Sequence, residues 1–392
     1  MTSVFMETLN LFITASKIFG LMNYCCTMES GLLYRNTKST YYIFLECIRM
    51  FVYLIFSYHI IFNMGCFYIL VDFNIIKYWA IVITARISEK WIIKFINGII
   101  KFDNKLLLFN SSIPVKLYSK SKTFWNVIFA SFFLYFLCCQ YFLILQFGRR
   151  IKDLSDYSTV VFHSPDIIIF IVMITSLYYL SNLGYRFCEL NRLWKCLPFG
   201  LLALPGGWTN SEITVLVERI RLLHAELSEL LRLFSLGYGP VLLVYFTFTF
   251  AHALIETFLF TIYKDSLRNN IFPYIFYLQH IFNMISIIYI TAWVIEKKKK
   301  IISCLRLIRI SEMTIHTKLQ IKIFMNQISM YEPNEITAFG FFNFDVKLTM
   351  SILVLLITAI STMLQMKDHP WMLYLKNAWI LNVYNNMQTN KY

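Results

Sequence analysis

The last long apolar segment of the chain carries five hydroxyl or amide side chains at a spacing that a helix would gather on one side. Three of them recur every seven residues, and the other two fall between the later pair. On a helix of 3.6 residues per turn they form a narrow polar stripe on an apolar rod. The stripe consists of Ser351, Thr358, Ser361, Thr362 and Gln365.

Such a stripe has two uses in a membrane. Small hydroxyl side chains let neighbouring helices pack closely, which would make the stripe a structural contact. If copies of the helix surround an axis, the same side chains line a pore, and apolar rings such as Leu355 and Leu364 close it. The spacing alone leaves both interpretations open.

A second set of polar residues lies near the outer ends of other apolar segments. His252 and Glu256 are four residues apart, so one helical face carries both. Ionisable side chains inside a bilayer face the bundle interior and indicate a functional site, although this pair could equally hold two helices together. With outer-end residues of three other segments, the pair could form a pocket for a small molecule; interfacial anchoring is the alternative for each single residue. These other residues are Gln140, Tyr141, His163, Asp166, Tyr277, Gln279 and His280.

The sequence gives no support to an enzyme. It has no phosphate-binding loop, nucleophile elbow, HExxH motif or paired carboxylates in a credible context. Nine cysteines occur without a CxxC, which argues against a zinc site or a disulfide framework. The net charge of +14 lies in the gaps between apolar runs and forms no continuous basic stripe for nucleic acid. We therefore predict no enzymatic activity, no cofactor or metal, and no nucleic-acid partner.

The composition indicates that the lipid bilayer is the solvent of this chain. Of its 392 residues, 58% are hydrophobic and 15% are charged, and the mean hydropathy is +0.59. A bilayer core of about 30 Å requires about 20 apolar residues per helix. We predict an all-α integral membrane protein with seven transmembrane helices near 42–64, 67–86, 123–147, 160–185, 238–263, 271–295 and 336–366.

The distribution of Lys and Arg predicts the orientation. They concentrate in alternate connections, and positively charged flanks stay cytoplasmic, so we expect a cytoplasmic segment 1–41 and an extracellular tail 367–392. Within the basic connections, residues 209–235 and 296–330 place apolar residues at helical spacing among charged ones, which predicts two amphipathic cytoplasmic helices. The run Lys297 to Lys300 could by itself instead hold the sixth span against anionic lipid. No repeat or soluble linker interrupts the chain, so we predict one domain over 1–392.

At its last span the sequence resembles the insect gustatory receptors. Their last span opens with a pattern like Thr-Ala-x-Gly-x-Phe-x-x-Asp and closes with Thr-Tyr, five apolar residues and Gln-Phe. The closing sequence TAISTMLQM retains Thr358 and Gln365 at that spacing, whereas Ala359 and Met366 replace the two aromatic residues. The opening pattern is matched by Thr337, Ala338, Gly340, Phe342 and Asp345.

The resemblance implies a tetrameric, ligand-gated, non-selective cation channel in the plasma membrane of a chemosensory neuron. Each last helix would line the central pore, with Thr358 and Gln365 in its gate motif. The helices of 209–235 and 296–330 would form a shared cytoplasmic anchor in a homo- or hetero-tetramer. The ligand would be a small-molecule tastant, with a bitter or aversive compound favoured over a sugar because diverged members of the family mostly respond to aversive compounds.

The related insect odorant receptors share this architecture and are the nearest alternative. A G-protein-coupled receptor also has seven spans, but its N-terminus faces outward, opposite to the charge pattern of this chain. Neither an Asp-Arg-Tyr at the third span nor an Asn-Pro-x-x-Tyr at the seventh is present. A secondary transporter would show two related halves with Gly- or Pro-broken spans, which are not visible in this sequence.

Overall fold

The computed structural model is largely helical over the residues that it describes. These are residues 4–29, 31–36, 40–64, 69–108, 122–147, 166–195, 209–262, 272–306, 314–330, 336–338, 340–366 and 369–370. The helices are α1 (Val4–Ile18), α2 (Thr40–Met64), α3 (Ile69–Leu108), α4 (Lys122–Phe147), α5 (Asp166–Lys195), α6 (Asn210–Ile262), α7 (Phe272–Arg306), α8 (Ile315–Met330) and α9 (Val346–Met366). An antiparallel hairpin of β1 (Cys26–Glu29) and β2 (Leu32–Arg35) follows α1.

Four helices in the described part of the chain are long and apolar enough to cross a bilayer. They cover Ile168–Lys195 in α5, Ser211–Ile255 in α6, Leu278–Arg306 in α7 and Val346–Met366 in α9, and a shorter apolar helix covers Thr123–Tyr135 in α4. Each predicted span overlaps one of the helices α2 to α7 or α9. The number of membrane crossings and the orientation of the termini stay predictions.

Helix α5 lies at the centre of the bundle. Its residues Ile168–Ile174 are all buried, as expected of a helix that is apolar on every side. It packs against α6 and α7, while α3 packs along α6. Arg186 of α5 donates two hydrogen bonds, of 2.7 and 2.6 Å, to the Asp103 carboxylate of α3, and its guanidinium lies 5.0 Å from the Phe5 ring of α1. Loss of either charged partner would leave the other charge buried and uncompensated.

Helix α6 is continuous where the sequence predicted two elements. Residues 209–235 and the span 238–263 belong to one helix, Asn210–Ile262, which runs through Pro240. A glycine and proline pair favours a break in an isolated helix. The prediction of separate elements was wrong because the packing of α6 along α3 outweighs this local preference.

The start of α6 is set by a reciprocal cap. Thr209 Oγ1 accepts the Glu212 N–H at 3.3 Å, and the Glu212 carboxylate accepts the Thr209 N–H at 2.7 Å. At 1.5 Å per residue, this 53-residue helix is about 80 Å long, whereas a bilayer core is about 30 Å thick. A large part of α6 must therefore extend beyond the membrane.

The predicted cytoplasmic helix 296–330 is also divided differently. Residues 296–306 continue α7, and α8 is a separate helix over Ile315–Met330. Helix α8 packs against the first half of α6, where Gln327 Nε2 donates to the Arg221 carbonyl at 3.1 Å. The amphipathic halves of the two predicted cytoplasmic helices thus bury part of their apolar faces against each other.

The β-hairpin is a departure from the predicted all-α fold within segment 1–41. It rests on α3 through Asn97, whose side-chain oxygen accepts the Leu33 N–H at 2.7 Å while its amide nitrogen donates to the Leu33 carbonyl at 2.8 Å. Asn23, just before the hairpin, donates its N–H to Glu89 of α3 at 2.7 Å. The N-terminal segment is therefore packed on the bundle.

Candidate functional site

The motif before the last helix forms a tight turn, so the predicted span 336–366 was too long at its start. Helix α9 begins at Val346. In the preceding turn, Ala338 is buried and donates its N–H to the Phe342 carbonyl at 2.9 Å. Gly340 has a φ of +83°, in the left-handed region that favours glycine. This non-helical backbone shortens the helix relative to the apolar run.

Thr337 and Asp345 stabilise the two ends of this turn. Thr337 Oγ1 accepts the Gly340 N–H at 3.0 Å. Asp345 Oδ1 accepts the Leu348 N–H at 3.0 Å, which makes Asp345 the N-cap of α9. The motif residues that carried the family resemblance thus have local physical roles in turn formation and helix capping.

A pair of hydrogen bonds, the Ser235–Thr337 clasp, fastens this turn to α6. Ser235 Oγ donates to the Thr337 carbonyl at 3.0 Å and accepts the Thr337 N–H at 3.1 Å. Three turns further along α6, the Phe246 ring contacts those of Phe342 and Phe344, with centroid distances of 5.9 and 5.2 Å. The start of α9 is therefore attached to α6 at two levels.

The predicted pore residues lie on the exposed surface of α9. Three hydroxyls donate to the carbonyl one turn earlier: Ser351 to Lys347 at 3.1 Å, Thr358 to Val354 at 2.8 Å, and Thr362 to Thr358 at 2.9 Å. A hydroxyl bonded in this way still has acceptor capacity for water or an ion. The exposed stripe consists of Ser351, Thr358, Ser361, Thr362 and Gln365.

Helix α9 is covered very little by its own chain. Among the described side chains of α9, Leu356 is the one that is buried. Val354, Leu355 and Ile357 are 58%, 56% and 63% exposed. An apolar surface of this extent requires a cover of lipid or of another protein.

Helices α3, α6 and α7 bring aromatic and imidazole rings together in one layer. The buried rings of His252 and His280 meet edge to face with centroids 4.7 Å apart, and the Phe73 ring lies 6.4 Å from that of His252. On neighbouring α4, the Tyr135 hydroxyl donates to Gln279 Oε1 at 2.8 Å. These contacts bring three of the predicted pocket residues to one level of the bundle. A ligand pocket at this level stays a prediction.

Within about one helical turn of these rings, three further described side chains are polar and buried, and sequence reasoning did not include them in the pocket. They are Lys77 of α3, Thr249 of α6 and Asn283 of α7. At 1.5 Å per residue, Lys77, His252 and His280 each lie about 12 to 15 Å from the nearer end of their helix. The signal that could have found Lys77 is its position inside an apolar run, since a charge within a span must face protein or water.

The other predicted pocket residues are less informative. Tyr141 of α4 is 60% exposed, so its own chain does not enclose it. Asp166 is the first residue of α5. His163 lies outside the described residues, as do the side chains of Gln140, Asp166, Glu256 and Tyr277. Within the described part of the chain, no group of three or more His, Cys, Asp and Glu side chains is placed to hold a metal.

Comparisons with known proteins agree with this architecture. The chain is similar in structure to the insect olfactory receptor OR5 from Machilis hrabei, solved in complex with eugenol, with a TM-score of 0.59 and 9% sequence identity. The match covers 92% of this chain and 99% of that one, and at this identity it shows the fold alone. No curated protein matches the sequence. The family model described as "7tm Chemosensory receptor" matches residues 9–368. This chain is therefore a member of the 7tm chemosensory receptor family.

Proposed function

We propose that the chain is a gustatory receptor subunit that works as a ligand-gated, non-selective cation channel. It has seven transmembrane helices with a cytoplasmic N-terminus and an extracellular C-terminus, in the plasma membrane of a chemosensory neuron. The observation that carries the proposal is the uncovered surface of α9, on which a polar stripe runs along an apolar helix. In a chemosensory receptor, such a surface fits a helix that faces its own copies around a pore.

In this proposal four subunits place their α9 helices around one axis. Thr358 and Gln365 belong to the gate, and their hydroxyl and amide groups replace part of the hydration shell of a passing cation. Leu355 and Leu364, which are 56% and 52% exposed, form the apolar rings that close the pore. Helices α6 and α8 make the cytoplasmic anchor between subunits.

The ligand binds in the outer layer around His252, Gln279 and His280, where α3, α4, α6 and α7 contact one another. The same helix α6 carries His252 and, on the cytoplasmic side, Ser235 of the clasp to Thr337. A ligand that binds more tightly when α6 is shifted toward the open arrangement therefore moves the start of α9 with it. Only this difference in affinity between the two states can open the pore.

The ligand is a small organic tastant, with a bitter or aversive compound favoured. A sugar receptor is an alternative, because the layer offers imidazole and amide groups for hydrogen bonds. An odorant receptor is the second candidate function, and the likeness of the fold to an olfactory receptor that binds eugenol favours it. These candidates differ in ligand and share the channel mechanism.

Whole-cell recording tests the proposal. The chain is expressed alone and with candidate partner subunits, and cation current is measured while bitter compounds, sugars and volatile aromatic compounds are applied. We expect one ligand class to evoke current, and Thr358→Ala and Gln365→Ala to change its conductance or gating. Thr247→Ala is a matched control, because this exposed hydroxyl of α6 also donates to the carbonyl one turn earlier, at 2.9 Å. Silence from protein at the cell surface, with every partner, would contradict the channel.

A further inference from the structure

One face of α7 stays uncovered along much of the helix. Leu278, Phe282 and Tyr289 are 62%, 63% and 71% exposed, and their spacing of four and seven residues places them on one side. Trp293 continues this side one turn later. In a membrane helix, an exposed apolar stripe contacts acyl chains, and Tyr and Trp mark the level of the headgroups.

Trp293 is held against α5 at the end of this stripe. Its ring lies 5.5 Å from the ring of Tyr185 and rests on Gly184, which has no side chain to displace it. One turn further, Lys297 Nζ lies 5.8 Å from the centroid of the Trp293 ring. A lysine that follows an interfacial aromatic ring extends its ammonium group into the headgroup layer.

Beyond Trp293, the last turns of α5 and the neighbouring turns of α7 carry a basic cluster. Asn191 Nδ2 of α5 donates to the Lys297 carbonyl at 2.7 Å, which joins the last turns of α5 to α7. Two acidic side chains, Glu189 and Glu296, lie among the basic ones and leave an excess of positive charge. The α5–α7 basic cluster consists of Arg192 of α5 with Lys297 and Lys300 of α7.

The run of four lysines in α7 has side chains in two environments, one buried in the bundle and one at its surface. Lys298 is buried on the side of α7 that faces His224 of α6. The Lys297 side chain is 19% exposed and its Nζ lies 2.7 Å from Glu296 Oε1, and Lys300 is exposed. The outward lysines therefore lie directly beyond the lipid-facing stripe.

We propose that the α5–α7 basic cluster binds the phosphorylated headgroup of an anionic phospholipid. The acyl chains of that lipid would lie along Leu278, Phe282 and Tyr289, and its phosphates would contact Lys297 and Lys300. Each Lys or Arg near an anionic headgroup layer strengthens binding by a factor of about five. The continuity of the stripe with the basic cluster favours a lipid over a water-soluble phosphate. The membrane leaflet in which this site lies depends on the orientation proposed above, whereas the site itself does not.

Purified full-length receptor in detergent tests this proposal without any tastant, so failure here would leave the channel proposal untouched. Binding of dioctanoyl phosphatidylinositol bisphosphate is measured by thermophoresis, beside dioctanoyl phosphatidylcholine and free inositol trisphosphate. We expect Lys297→Gln with Lys300→Gln to weaken binding of the anionic lipid about thirtyfold. Glu296→Gln should strengthen it about fivefold, because one opposing charge is removed.

Two control variants test whether the loss of lipid binding is specific to the charges of Lys297 and Lys300. Lys90→Gln with Lys94→Gln removes two exposed lysines of α3, one of which lies 4.9 Å from the Trp91 ring, and should leave binding unchanged. The double variant Lys297→Arg with Lys300→Arg should retain binding of the anionic lipid. Equal binding by wild type and the Lys297/Lys300 glutamine variant would overturn the proposal, and so would an equal loss in the α3 variant. Inositol trisphosphate binding as tightly as the lipid would also overturn it, in favour of a water-soluble ligand.

Discussion

The hydroxyl of Ser235 satisfies both backbone groups of Thr337, donating to its carbonyl at 3.0 Å and accepting its N–H at 3.1 Å. Thr337 is the first residue of the turn that leads into α9, while Ser235 lies on the long helix α6. A side chain that bonds both groups of one residue fixes the position of that backbone more firmly than a single bond would. We therefore expect a displacement of α6 to move the start of α9 with it.

Ser235→Ala removes this clasp. It leaves the Thr337 amide and carbonyl without their partner, which costs about 1–3 kcal/mol. We expect a lower melting temperature and a smaller maximal ligand-evoked current, with ligand binding unchanged. Ser329→Ala is the control, since that exposed hydroxyl donates to the Asn326 carbonyl at 2.7 Å within α8. Wild-type current and stability in Ser235→Ala would show that the clasp does not couple the helices.

Gly340→Ala tests the turn itself. A Cβ at this position would have no heavy atom within 4 Å, so only the left-handed backbone is penalised, by about 1–2 kcal/mol. We expect a lower melting temperature for the purified receptor. Gly340→Asn should lower the melting temperature less than Gly340→Ala, because asparagine tolerates this conformation better than alanine. Equal stability of all three proteins would contradict a φ-dependent role.

Gly184→Ala tests the contact between α5 and α7. A Cβ on Gly184 would fall on the Trp293 ring, with Cε3 and Cη2 only 2.7 Å away, so the helices must separate or the ring must move. Overpacking of this kind costs about 1–3 kcal/mol. Combining it with Trp293→Leu should restore part of the loss of stability. Additive losses in the double variant would show that the two residues do not compete for one space.

We expect His224 to make the folded state sensitive to acid. It lies in the half of α6 that extends beyond the proposed span, and its ring contacts those of Phe187 and Phe324. Burial, assisted by the nearby Lys298 charge, lowers the pKa of His224 to about 3. Its contribution to stability is complete above the unfolded pKa of about 6.5 and falls as pH decreases toward 3, by about 2 kcal/mol at pH 5.

The melting temperature of His224→Phe should therefore fall less than that of the wild type between pH 6.5 and 4. Phenylalanine suits this aromatic environment and does not titrate. His316→Gln on α8 is the matched control, since it removes an exposed histidine. An unaltered pH profile in His224→Phe would mean that other groups govern acid unfolding.

Local chemistry made the helices accessible to sequence reasoning, whereas the turn before α9 was not predicted. Apolar runs bounded by charged residues overlap the helices. The role of Asp345 follows from its carboxylate, and that of Gly340 from its lack of a Cβ. The continuity of α6 through Pro240 was not accessible, because it depends on packing against α3. The start of α9 was misplaced for a related reason, since an apolar run does not reveal where its backbone becomes helical.

By itself, the sequence determined that this chain is a helical, membrane-type protein with a chemoreceptor motif at its last helix, because apolar length and turn chemistry are properties of neighbouring residues. Only the tertiary structure decided which distant groups meet. Ser235 and Thr337 are 102 positions apart, and nothing local marks them as partners. Lys297, Lys298 and Lys300 are chemically identical, yet the packing of α7 buries the second and exposes the third. The three side chains have the same chemistry, so the face of α7 on which each one lies determines its environment.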